Sequence, residues 1–414
     1  MMRSMYAGVS GLRNHQIRMD VIGNNIANVN TVGFKAGRVN FQEIFNQTIR
    51  GASSPLGQRG GTNPQQVGLG MGLSSIDTLQ TQGNLQTTGK MTDLAIQGNG
   101  FFVLNADGNM AYTRDGAFDL DANGDLINPA NGMKVQGWMA DTTGAFPAKN
   151  PNTIKDIKIP VGQSIAAAST GRVAFAKNLD AGTVLNGTYV TSIDVFDSLG
   201  ARRSVTMTFE KTAVTAGPPP TSTWTWTASG DGTTVLPNTL TFDANGNLTG
   251  GGTATMQVNG SAGATSPFTV NLDFNGLTQY AAGSTVAATS RDGYPMGSLM
   301  TFTIDSTGTV TGVYSNGITQ KIAQVAVATF ANPGGLLKMG ENLFQESNNS
   351  GIRDIGETGT GGRGTIAPGT LEMANVDLSL EFTNMISTQR GFQANSRIIT
   401  TSDEMLQELV NLKR

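Results

Sequence analysis

The sequence predicts an α+β protein that is mostly β, in which long paired terminal α-helices enclose two nested antiparallel β-domains. Three observations predict it. Apolar residues recur at heptad spacing at both ends, and no Pro lies in residues 1–35 or 370–414. Between the ends the apolar period changes to two, the mark of half-buried strands. With 54 Gly among 414 residues and only 14% charged residues, the middle is turn-dense and weakly charged, which favours short strands joined by tight turns.

Residues 1–35 together with 370–414 are expected to form a terminal helical polymerisation domain, with the first helix in 1–35. Met5, Leu12, Met19 and Ile26 repeat every seven residues and Val9 follows Met5 by four, which lays an apolar stripe along one face. Ser4 suits the N-cap, and the Asn- and Gly-containing run 28–33 supplies a stop. The last helix is expected within 370–414, with Leu378, Met385, Phe392, Ile399 and Leu406 in its stripe and Asn375 or Asp377 at its opening. A helix of roughly 35 residues is about 50 Å long, more than a small domain needs. The two stripes are expected to pack on each other and to be buried in something larger, because isolated helices gain little stability without packing.

Residues 36–72 begin with the anchors Phe41, Ile44 and Phe45 and continue into a polar, Gly-rich stretch, read as a linker or an extended arm. A first β-domain is expected from 73–140 together with 291–369; Leu94, Ile96, Phe101, Phe102, Val103 and Leu104 form strands broken at Gly98-Asn99-Gly100. Residues 141–290 carry strand pairs of their own and form an inserted outer β-domain. Strands at 193–196 and 205–209 flank Asp197-Ser198-Leu199-Gly200, Trp224 and Trp226 alternate, and Pro218-Pro219-Pro220 reads as a surface loop. One turn recurs at Asp121-Ala122-Asn123-Gly124, Asp243-Ala244-Asn245-Gly246 and Asp305-Ser306-Thr307-Gly308. In each, Gly accepts a positive φ and Asp bonds the backbone at the corner.

Composition narrows function. The absence of Cys excludes disulfides, thiolate catalysis and Cys-ligated zinc. A net charge of -3 argues against nucleic acid as the main partner, no stretch reaches the length of a membrane span, and the start lacks the apolar core of a cleaved secretory signal. Charge is unevenly placed: Arg3, Arg13, Arg18, Lys35, Arg38 and Arg50 stand against Asp20 and Glu43 near the start, and Glu372, Asp377, Glu381, Asp403, Glu404 and Glu408 against Arg390 and Arg397 near the end. Exposed pairs of this kind contribute under about 1 kcal/mol each, so they tune register and do not drive assembly.

No catalytic, cofactor or metal site emerges. Asp119, Asp121, Asn123 and Gly124 imitate the opening of a calcium loop, but Ala130 stands where a bidentate Glu is needed. His15, the one His, sits among polar residues and reads as a surface side chain. The run Gly68-Leu69-Gly70-Met71-Gly72 lacks the preceding strand and following Lys-Ser or Lys-Thr of a phosphate cradle. A sugar site at Trp224 and Trp226 is the enzyme rival, but alternating Trp is more often half core and half surface, and no paired acids are visible beside it.

Four segments carry a family signature. Ser10-Gly11-Leu12, Asp20-Val21-Ile22-Gly23-Asn24-Asn25-Ile26-Ala27-Asn28, Thr31 and Gly33-Phe34-Lys35 form the first. Asp93-Leu94-Ala95-Ile96 with Gly98 and Gly100-Phe101-Phe102 is the second, and Thr113-Arg114-Asp115-Gly116-Ala117-Phe118 running to Gly124-Asp125-Leu126 is the third. The fourth is Asn375-Val376-Asp377-Leu378 with Asn384-Met385-Ile386, Gln389-Arg390 and Leu409-Val410-Asn411-Leu412. In order and spacing they resemble the bacterial flagellar rod and hook proteins, and the large central insertion resembles the hook members. The segment 47–68 looks more like the distal rod, which keeps that protein as the second reading. The resemblance implies a tubular homopolymer, exported without a cleaved signal through the flagellar type III apparatus. It also implies a distal rod protein, a hook cap and a hook–filament junction protein as partners, and a mechanical role without cofactor or enzymatic activity. On this reading the polymerisation core is the two heptad stripes.

Overall fold

The computed structural model describes residues 2–55, 60–106, 108–217, 219–230 and 238–412. It divides into two compact units, one of Met1–Ile159, Thr303–Thr311 and Lys321–Arg414, the other of Pro160–Phe302 and Gly312–Gln320.

In the first unit the terminal helices are α1 (Met2–Ala27) and α2 (Leu378–Asn411), of 26 and 34 residues. Helix α2 has the expected length and opens at one of its two expected caps, whereas α1 is shorter than expected. Ser4 lies inside α1 and not at its cap, and after Ala27 the side chain of Asn28 donates back to Asn24 O at 2.9 Å. Residues 370–372 are a strand paired with 85–87, so α2 opens at Asp377, whose carboxylate accepts from the amides of Ser379 and Leu380 at 2.9 and 3.2 Å. An acid there satisfies orphan N–H groups and faces the positive end of the helix dipole.

The expected linker or arm is a folded ribbon. Strand β1 (Gly37–Glu43) pairs with β4 (Met71–Thr78), and β2 (Asn46–Arg50) pairs with β3 (Gln65–Gly68), all antiparallel. A bridge between Ser53 and Thr62 extends the ladder; residues 56–59 of the arm lie outside the described residues. The ribbon is fastened to α1 by Asn14, which donates to Met71 O at 2.6 Å, and by Asn25, which both donates to Gly37 O and accepts from Gly37 N at 2.9 Å. Of its apolar residues, Ile44, Phe45, Ile49, Val67 and Ile76 are exposed, while Val39, Phe41 and Met71 are half-buried.

The β-body of this unit is built on β5 (Leu85–Thr87), β6 (Leu94–Gln97), β7 (Phe101–Ala106) and β8 (Asn109–Thr113), with β7 paired to β8, to Lys134–Met139 and to Val327–Thr329. Leu94, Ala95 and Ile96 are buried in succession because β6 is covered on both faces. Phe101, Tyr112, Trp138, Phe330 and Phe344 form the core, with Tyr112 and Phe330 edge to face at 4.8 Å.

The second unit has a five-stranded antiparallel meander running from Thr188–Phe196 to Leu248–Gly250 and a four-stranded sheet. One pair departs from the expected antiparallel pattern: Arg172–Asp180 runs parallel to Phe268–Tyr280. A parallel neighbour needs a long crossover, and the whole meander lies between these strands in the sequence. Trp224 and Trp226 are both fully buried in the core with Phe175, Phe209 and Phe274. Positions i and i+2 share one face of a strand, so the half-surface expectation fails and no Trp-lined sugar cleft exists there. Of the Pro218-Pro219-Pro220 loop, Pro218 lies outside the described residues.

The Asp-x-x-Gly turn is more widespread than the sequence reading recognised. Asp121, Asp141, Asp197, Asp243 and Asp305 each accept two backbone N–H groups on one carboxylate oxygen, for example Asn123 N and Asp125 N on Asp121 at 2.9 and 2.7 Å. The glycines that follow have φ between 70° and 82°. Asp121 therefore spends its oxygens on its own turn, and among the described residues no cluster of His, Asp or Glu is arranged to hold a metal.

Candidate assembly surface

The sequence reading expected the apolar stripes to face each other. The helices do pair, antiparallel, but through small and polar residues. The buried residues of α1 are Gly8, Gly11, Asn14, Ile22 and Asn25, and those of α2 are Thr388 and Ser402. A Cβ on Gly11 would fall 2.5 Å from Asn395 Nδ2, one on Gly8 3.4 Å from Ile399 Cγ1, and one on Gly391 2.9 Å from the His15 ring. Arg18 donates to Asn384 Oδ1 at 3.3 Å and Asn25 to Glu381 Oε1 at 3.1 Å. The glycines bring the backbones close, and that approach fixes which faces turn inward.

The predicted stripes are consequently only partly enclosed, with Ile399 over Gly8 in the seam. Met5, Leu12, Met19, Ile26, Met385, Ile399 and Leu406 are half-buried, while Val9, Leu378 and Phe392 are 43%, 39% and 41% exposed. Tyr6, Leu380, Phe382, Ile386 and Ile398 are exposed beside them. A pair of helices thus presents a long apolar surface that its own chain leaves wet, at a cost of about 25 cal/mol per Å².

The remaining motif residues build the junction below the helices. Asn24 is exposed, and with Asn28 it ends α1. Gly33, at φ 68°, donates its N–H to Glu372 O at 2.7 Å, and a Cβ there would fall 2.7 Å from Arg114 C. Lys35 Nζ lies 2.6 Å from Glu372 Oε1 and donates to Thr81 O at 2.9 Å; Arg114 meets Glu372 Oε2 at 3.2 Å. Burial holds Lys35 below its ordinary pKa against the opposing pull of Glu372, and burial lowers Arg114 in the same way. Asn375 accepts from Ala36 N at 2.8 Å and donates to Leu79 O at 2.9 Å, and the ammonium of Lys338 stands over the Phe34 ring. Residues far apart in sequence thereby lock the chain where it leaves and re-enters the helix pair. Glu372 and Arg114 were missed as partners, although Arg114 stands in a family motif and Glu372 in the acidic set.

Comparison with known proteins agrees with this arrangement. Residues 5–35 match the family described as flagella basal body rod protein, 95–175 the flagellar hook protein FlgE/F/G D1 domain, 166–294 the flagellar basal body protein FlaE D2 domain, and 367–412 the flagellar basal body rod FlgEFG protein C-terminal. Flagellar hook protein FlgE of Borreliella burgdorferi is 46% identical, with 100% of both chains covered. Flagellar basal-body rod protein FlgG of Bacillus subtilis is 34% identical, again with 100% of both covered. The crystal structure of Helicobacter pylori flagellar hook protein FlgE2 shares the fold at a TM-score of 0.55 and 16% identity, covering 70% of this chain and 100% of that one. The chain belongs to the flagellar hook protein family. It is a structural subunit of a multi-subunit flagellar assembly.

Proposed function

We propose that the chain polymerises into the curved, flexible tube of the hook and acts there as a universal joint that passes torque from rod to filament. The observation that carries the reading is the apolar surface left on the α1–α2 pair by a seam of Gly, Asn, Thr and Ser. Neighbouring copies bring the same surface, and concentric packing of many copies removes it from water. Met5, Val9, Leu12, Met19, Ile26, Leu378, Met385, Phe392, Ile399 and Leu406 contribute to that core. Weakly charged, Gly-rich β-units slide past their neighbours at small energetic cost, so the tube bends while its helical core holds. On this reading the subunit is exported without a cleaved signal by the flagellar type III route and ends outside the cell. It meets the distal rod protein, the hook cap and the hook–filament junction protein.

The second reading, a distal rod subunit, draws on the 34% identity to the Bacillus rod protein and on the 37–78 ribbon. Electron microscopy of the purified full-length chain under polymerising conditions separates the two. Curved tubes support the hook, straight rigid tubes the rod, and the absence of any tube removes both.

A further inference from the structure

The loop 181–187 of the second unit carries Val184 and Leu185 side by side, 75% and 58% exposed. It is nevertheless held from inside. Lys211, only 6% exposed, sends its ammonium to Ala181 O at 2.6 Å and to Thr183 O at 3.0 Å. The backbone of Lys211 clasps the far side of the loop, accepting from Asn186 N at 2.9 Å and donating to Gly187 O at 3.1 Å. Burying an ammonium is costly unless its donors are satisfied, and here the loop carbonyls satisfy them. The outcome is a fixed apolar knob. Exposed Tyr280 extends it, its carbonyl accepting from Ala181 N at 3.0 Å.

The opposite end of the same unit carries a second apolar patch. The strand Thr188–Phe196 starts at the loop and ends at the Asp197 turn, about 30 Å away at about 3.3 Å per residue. Two strands run the other way: Arg172–Asp180 leads from Thr170, which donates to Phe196 O, and Phe268–Tyr280 from Thr265, which donates to Ser198 Oγ. In the Asp197 turn Leu199 is 61% exposed, and a Cβ on Gly200 would fall 3.4 Å from Met296 N, so the turn lies against Met296. Met296 and Met300 are 67% and 72% exposed. With Ser298 they alternate against buried Gly297 and Leu299 and so share one face.

We propose that the Val184–Leu185 knob of one copy seats on the Leu199–Met296–Met300 patch of the next, a head-to-tail contact that rests on the hook reading above. Within one chain the two ends stand too far apart to meet, whereas a homopolymer brings each knob the patch of another copy. The two surfaces differ, so the contact is heterologous and repeats from copy to copy instead of closing a pair. A few side chains bury well under the roughly 800 Å² per partner of a standard interface. The contact therefore forms only where the assembly holds copies side by side and raises their effective concentration. Methionine is unbranched and repacks readily. A rigid knob on an adaptable patch keeps contact while neighbours slide in a bending tube.

The chain has no Cys, so Leu185→Cys combined with Met296→Cys in the full-length chain reports the contact directly. In hooks isolated from cells and then oxidised, the double variant should give a ladder of dimers, trimers and longer products, and each single variant none. Adding Lys211→Met, which keeps the stem and frees the loop, should lower the ladder severalfold. Intact hooks of the double variant without a ladder overturn the contact and leave the hook reading standing. Cross-linking by a single variant, or to a different protein, overturns the assigned partner. If the double variant does not assemble, peroxide oxidation of the natural chain decides. Met296 and Met300 oxidised severalfold more slowly in tubes than in dispersed monomer support the contact, and equal rates overturn it. A natural chain that enters no tube refutes the hook reading itself.

Discussion

Lys35 and Glu372, 337 positions apart in the chain, meet at 2.6 Å with both side chains fully buried. Together with Arg114 they place two cations on one carboxylate, and Gly83 N donates to the same Oε1 at 2.8 Å. Such a group contributes little relative to a well-packed apolar cluster, but removing its central member leaves two buried cations without a counter-charge.

Glu372→Gln is therefore expected to destabilise the first unit by about 3–5 kcal/mol. Urea denaturation followed by Trp138 fluorescence, with the other Trp residues replaced by Phe in the reference chain, reads that unit. A midpoint unchanged from the reference would show that the cluster is not a fastening.

Seam and proposed assembly surface are expected to be separable by substitution. Gly11→Leu drives a side chain into Asn395 and should cost about 1–3 kcal/mol or more through overpacking, visible as lost helicity in the monomer. Leu12→Asp, Met19→Asp, Met385→Asp and Phe392→Asp should abolish tubes while the β-units stay folded, with Phe392→Asp leaving monomer helicity nearest to normal. Normal hooks in cells carrying these four substitutions would refute the assembly surface.

The ribbon gives a mechanical prediction. Deleting residues 51–68 should change the stiffness or helical form of the polymer before it abolishes assembly, because the fastenings of β1 and β4 to α1 lie outside the deletion. Curvature and bending response measured by electron microscopy and optical trapping check it; tubes indistinguishable from the natural ones would leave the ribbon without that role.

Asp197 in the second unit predicts an acid transition. Burial pushes its carboxyl up, but Ser261, through hydroxyl and backbone N–H, and the amides of Ala201 and Leu199 outweigh this and bring it down to about 2. A depressed carboxyl contributes stability that is fully present above the ordinary value of 3.8 and is lost as pH falls through about 2. Thermal midpoints of the natural chain and Asp197→Asn should differ at neutral pH and converge through that window. A gap that persists below it would mean that the effect is steric and not one of charge.

Much of the fold was legible because periodicity reports burial directly. The heptads of Met5 to Ile26 and Leu378 to Leu406 mark two helices, and the Asp-x-x-Gly turns mark hairpins at their true positions. Cap and partner choice were less legible. Ser4 and Asp377 are both good N-cap residues, and only where the chain leaves the β-body decides that Asp377 acts and Ser4 does not. The Trp pair was misplaced because alternation does not say which layer covers a face.

The sequence by itself determined that both ends are amphipathic helices, that the middle is turn-rich β-structure, and that the chain resembles an axial flagellar protein. Tertiary structure alone decided which helix faces meet. Hydrophobicity ranks the stripes as the natural seam, yet Gly8, Gly11 and Gly391 permit a closer backbone approach than any side chain allows. The pair closes on them and leaves the apolar stripes half-buried or exposed.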